Sequence, residues 1–116
     1  MSNVSKYIPI VKHQLIHLER NMARFTTRVE LHNSATWGDY EQLHSAMESH
    51  GYKRTITEDD TGETYHLPWA EYNLIADVNK DGALARAHAA AATVGKPFSL
   101  LVTESKGRTW ENLKRA

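Results

Sequence analysis

From residue 23 the chain alternates. In ARFTTRVEL, Phe25, Thr27, Val29 and Leu31 fall on one side and Arg24, Thr26, Arg28 and Glu30 on the other. That period of two is the pattern of a strand with one buried and one polar face. SATWGDYEQLHSAMESHG then changes to the helical period. Thr36 is placed as N-cap with Asp39 three residues on, and Gly51 ends the element. Trp37, Tyr40, Leu43, Ala46 and Met47 make the expected inward stripe, and His44 lies beside it as a partly buried packing residue.

Residues 52–57 and 63–67 read as a hairpin around an acidic turn closed by Gly62. Pro68 interrupts the second arm, so a bulge or break is expected near Pro68 and Trp69 before AEYNLIADV resumes extended structure. DGALARAHAAAATVG is an alanine-rich helix closed by Gly95, and its alanine run suits close approach to a sheet. KPFSLLVTES is the last strand, with Phe98, Leu100 and Val102 on one face. In the tail KGRTWENLKRA, Trp110 and Leu113 are expected to fold back on the body. The order β-α-β-β-α-β predicts an α+β, ferredoxin-like sandwich, with two helices on one face of a four-stranded antiparallel sheet.

Upstream the pattern differs. Ile8, Val11, Leu15, Leu18 and Met22 are spaced by three and four, and Pro9 suits a first helical turn. Residues 1–21 are therefore read as an N-terminal helical extension that docks on the body or on a twin subunit. Residues 22–116 are read as the domain, with Met22 as a possible translation start.

At 116 residues the chain has the size of one domain. The absence of cysteine excludes disulfides, thiolate metal sites and cysteine nucleophiles. No apolar run approaches the roughly 18 residues of a bilayer span, and no export signal is recognisable, so a cytoplasmic location away from membranes is expected. Fourteen basic residues balance fourteen acidic ones. Nucleic-acid binding on such a chain requires a local patch.

Asp77, Asn79, Asp81 and Gly82 match the opening of a calcium loop, but loop position 12 is His88 and position 9 is Ala85. A hard cation needs oxygen at both. Helix capping by Asn79 or Asp77 accounts for the same residues. His13 and His17 lie four apart without an evident third ligand. No metal or cofactor is expected.

The polar face of the sheet carries the candidate chemistry. Arg24 and Arg28 from the first strand, with Lys53 and Arg54 from the second, are the candidate RNA-binding cations; Thr103 or Glu104 could join them. Tyr52, Tyr65, Trp69 and Tyr72 supply aromatics in the same region. Metal-free RNA cleavage needs a base, a proton donor and a cation around one phosphate. Arg28, His32 and His66 are the candidate catalytic residues. A solvated or dimer-paired face is the alternative.

MARFTTRVELHNSATWGDYEQLHSAMESHGYKRTI, GETYHLPWAEYN and KPFSLLVTESKGRTW together resemble the GhoS-like family of small enterobacterial and prophage proteins, over about residues 22–110. The resemblance implies a Cas2-like ferredoxin fold. It also implies an antitoxin of a type V toxin–antitoxin pair that acts as an endoribonuclease on the toxin messenger. Arg28 is the position carried over from it. Cas2-like proteins place an aspartate after the first strand, whereas this segment is LHNSAT, so metal-independent cleavage is the form expected. The expected partners are a second copy of the chain and RNA. The competing expectation is a non-enzymatic phage or prophage accessory protein that binds a host or defence protein.

Overall fold

The structure is a computed structural model that describes residues 22–116. The helix expected in residues 1–21, with His13 and His17, lies outside the described residues. The elements are β1 (Ala23–Leu31), α1 (Trp37–Ser49), β2 (Thr55–Thr57), β3 (Thr64–His66), β4 (Glu71–Ala76), α2 (Lys80–Ala92) and β5 (Phe98–Ser105). Among the described residues, no helix is long and apolar enough to cross a membrane.

β1 is central in a three-stranded antiparallel sheet of order β4-β1-β5. Its alternation is realised as read: Phe25, Thr27, Val29 and Leu31 are buried under the helices. Leu43 and Met47 of α1, Tyr72 and Leu74 of β4, and Ala83, Ala87, Ala90 and Ala91 of α2 complete the core. Phe98, Leu100 and Val102 pack against its margin, as their spacing predicts. One buried polar chain crosses this core. Thr27 Oγ1 donates to the Tyr52 hydroxyl (2.9 Å), which donates to the Ala83 carbonyl (3.0 Å). Each buried hydroxyl hydrogen is thereby satisfied.

Both helix starts follow the sequence. The Thr36 side chain accepts from the Asp39 N–H and the Asp39 carboxylate accepts from the Thr36 N–H, a complete capping box. Asn79 Oδ1 accepts from the Gly82 N–H at 2.8 Å. Asn79 is thus the N-cap of α2. Gly51 and Gly95, at φ 93° and 82°, take the left-handed conformation that ends each helix.

The four-stranded sheet is where the structure departs. The sheet has three strands, and the fourth position is occupied by a single bridge, in which the Lys53 and Asn73 backbones exchange two bonds (2.8 and 2.7 Å). At Arg54 the chain bends away, and β2 pairs with β3 in a separate two-stranded sheet. The Arg54 carbonyl closes this hairpin by accepting from the Leu67 N–H. The break at Pro68 and Trp69 is present as a turn, with the Glu71 N–H on the Pro68 carbonyl and Ala70 at φ 59°.

The tail returns as expected. Trp110 lies 5.6 Å from Tyr65, and the Lys114 carbonyl and Ala116 N–H bond to β3. Arg108 lays its guanidinium on Thr26 Oγ1 and Asn73 Oδ1. The hairpin tip reaches the same face, where Asp59 meets Arg24 at 2.9 Å. Half of the outer sheet face is therefore roofed, and the half around Arg28 is open.

Asn79→Ala is expected to cost about 1 kcal/mol of stability in urea unfolding. Millimolar calcium should leave the melting temperature of the unmodified chain unchanged, since a bound ion would raise it.

Candidate nucleic-acid interface

The most conspicuous surface feature is aromatic. Trp37, the first residue of α1, is 70% exposed, and Trp69 is 46% exposed. Their rings stack at 4.9 Å and 26°. Trp37 is a correction to the expected inward stripe. It stands in the first helical turn, where the Trp69 ring rather than the core covers one of its faces. The Pro68 turn carries Trp69 outward, and the buried Ala70 anchors that turn by accepting from the Val29 N–H. Tyr40 packs against Trp69 at 5.5 Å, and the Arg54 guanidinium lies 6.0 Å from the Trp69 ring centre. Of the tyrosines assigned to this region, Tyr52 and Tyr72 face the core and Tyr65 packs on Trp110.

Beneath the pair lies His44, 3% exposed and more deeply buried than its position beside the stripe suggests. Its Nδ1 is 2.6 Å from the Tyr72 hydroxyl, and its ring meets Trp69 edge-on at 85°. Nε2 is buried without a hydrogen-bond partner among the described residues. Burial, and next the Arg54 charge, push the imidazole below its ordinary value of 6.5, while Glu41 and Glu48 oppose them. Burial likewise raises the Tyr72 phenol well above its ordinary value. Both groups are therefore neutral at pH 7.

The predicted site residues fall into separate places. Lys53, Arg54 and His66 share a shallow depression with Glu48 and Thr55, beside the aromatic pair. Arg24 sits in the roofed half, in a cleft of about 690 Å³ lined also by Arg108, Lys106, Glu58, Asp60 and Glu104. Arg28 is exposed on the open half between Glu71 and Leu101 in register. His32 follows β1, with Nε2 2.7 Å from Ser99 Oγ.

These positions do not assemble the proposed catalytic trio. Four residues of extended chain separate Arg28 from His32 by about 13 Å. His66 belongs to β3, which pairs with β2 in the separate two-stranded sheet and with neither β1 nor β5. His32 bonds to Ser99, and His66 shares its depression with neither His32 nor Arg28. The four predicted RNA-binding cations divide in the same way, with Lys53 and Arg54 together and Arg24 and Arg28 apart. Among the described residues, no group of three or more acidic or histidine side chains is placed to hold a metal.

Arg108 went unpredicted because nothing in KGRTW marks one cation as the partner of Asn73. Burial, followed by the nearby Arg24 charge, lowers its basicity. Comparison of the chain with family profiles, curated proteins and solved structures finds no match.

The sign of the His44 effect is fixed by its neutral burial. The unfolded chain takes up the proton more readily, so the His44 contribution is complete above pH 6.5 and is lost as pH falls. The urea midpoint is expected to drop between pH 7.5 and 5.5. His44→Phe should flatten that dependence and cost about 1–3 kcal/mol at pH 7.5 by leaving the Tyr72 hydroxyl without its partner.

Proposed function

We propose that this chain is an RNA-binding protein of GhoS-like type, with a ferredoxin-like layout, that holds single-stranded RNA through Trp37, Trp69 and Arg54. Homodimerisation belongs to the same reading. The single observation that carries it is the exposed Trp37–Trp69 stack with Arg54 beside it. A base needs an uncovered aromatic face, and Trp37 offers one that no described residue needs for packing. The element order and the Lys53–Asn73 bridge at the fourth-strand position support the ferredoxin-like layout. The resemblance noted in the sequence supports the antitoxin role and a toxin messenger as target.

Charge has a secondary part in this reading. Lys53 and Arg54 are offset locally by Glu41 and Glu48, so stacking carries most of the affinity and few counterions are released. The reading favours binding over cleavage, because His32 and His66 lie in separate surroundings, on Ser99 and beside Arg54. A protein partner is the second reading. It is favoured by the same exposed tryptophans, which are frequent interface anchors, and by the zero net charge.

Binding of an unstructured transcript, read by fluorescence anisotropy, should show a shallow salt dependence, with a slope of about one or two. Trp37→Ala should weaken it by about 1–3 kcal/mol and leave the melting temperature nearly unchanged. Arg28→Ala should have the smaller effect, and transcripts should remain intact with or without EDTA. Equal binding by the Trp37 variant would remove this site, and absence of binding would leave the protein-partner reading.

A further inference from the structure

The backbone bonds of β5 identify which of its groups are free. The His32 N–H bonds to the Pro97 carbonyl, and His32 and Pro97 are opposite in the β1–β5 register. Antiparallel pairs alternate between bonded and non-bonded, so residues 97, 99, 101, 103 and 105 turn their backbone groups toward β1. Phe98, Leu100, Val102 and Glu104 therefore turn theirs to the outer edge, where no strand of the described residues pairs.

The two edges of the sheet are finished differently. On β4 the Lys53 bridge occupies the edge, and Arg54 then bends the chain away. β5 is eight residues long, contains neither proline nor a basic residue, and carries one charge, Glu104. Such an edge is open to pairing. At its centre Leu101 is 64% exposed on the outer face.

A second observation continues this surface over the helices. His88 of α2 packs edge-on against Phe98 of β5 at 5.3 Å, so the His88 side of the helix lies toward the β5 edge. Leu84, Ala85, His88 and Ala92 share that side and are exposed. Small residues there let a second helix approach closely.

We propose that the β5 edge and this stripe of α2 form one seam that pairs with a second copy of the chain about a two-fold axis at Leu101. In that register Leu100 bonds to Val102 of the partner subunit, and Phe98 bonds to Glu104 of the partner subunit. All the outward backbone groups are thus satisfied by the same groups of the other copy. Leu101 meets its own counterpart in a non-bonded pair, where side chains come closest. Glu104 lies opposite an aromatic ring rather than another carboxylate. Self-complementarity of this kind is what an isologous interface requires. Edge pairing alone is small and stable complexes bury roughly 800 Å² per partner, so the seam includes the α2 stripe. The product is a continuous sheet of order β4-β1-β5-β5-β1-β4. This seam rests on the homodimeric reading.

The test is sedimentation of the full chain and two variants. Leu101→Glu places a carboxylate opposite Arg28 within one subunit, which the monomer accommodates, but sets two carboxylates face to face across the axis. Ala92→Arg alters only the exposed α2 stripe. The unmodified chain is expected at twice its 13.2 kDa mass. Each variant should raise the dimer dissociation constant roughly tenfold or more, with near-ultraviolet circular dichroism unchanged. If Leu101→Glu alters the fold, Ala92→Arg decides. A monomeric unmodified chain overturns the homodimeric reading and the seam with it. A dimer indifferent to both variants overturns the seam alone.

Discussion

The central strand β1 has no free side, because its odd residues exchange backbone bonds with β4 and its even residues with β5. The same odd residues send their side chains into the core. A shift of one position would therefore expose Phe25, Val29 and Leu31 and bury Arg24, Arg28 and Glu30. This double constraint sets the register of both neighbouring strands. It also determines which parts of the sheet remain available: the outer face at Arg28 and the even-numbered edge of β5.

Two tyrosine hydroxyls connect the helices to that strand order. Tyr52 joins β1 to α2 through Thr27 and the Ala83 carbonyl, a chain without a titratable base. Tyr72 joins β4 to α1 through His44, whose second nitrogen has no partner among the described residues. The α2 side is thus held by a bond insensitive to pH near neutrality, and the α1 side by one that protonation disturbs. Since His44 lies directly under Trp69, the acid-sensitive contact also supports the exposed aromatic pair.

The core and the caps were legible because each depends on local periodicity or on a residue three positions away. Phe25 to Leu31, Thr36 with Asp39, and Asn79 with Gly82 are of this kind. The departure of the hairpin was not legible. It depends on competition between the sheet and the pairing of Thr55 with His66, which strand propensity does not resolve. Trp37 was misplaced for a related reason: helical spacing assigns it a direction but cannot show that Trp69, from a distant turn, covers it in place of the core. The cations on the outer face had correct parity. Their grouping was hidden because Asp59 and the tail reach the sheet from distant parts of the chain.

The balanced charge follows from how the cations are used. Arg24 faces Asp59, Arg115 faces Glu63 and Lys96 approaches Asp39, so three of the eleven cations of residues 22–116 are answered by a direct partner. Exposed pairs of this kind add at most about 1 kcal/mol each, but they leave little field to steer a polyanion. Recognition on this chain consequently has to use groups that act at contact range. Aromatic faces and strand edges are such groups. A stacked Trp pair selects partners that can present a flat ring, which a base in a duplex cannot do and an unpaired base can. Charge balance and exposed tryptophan are therefore compatible with nucleic-acid recognition, provided that the strand is single.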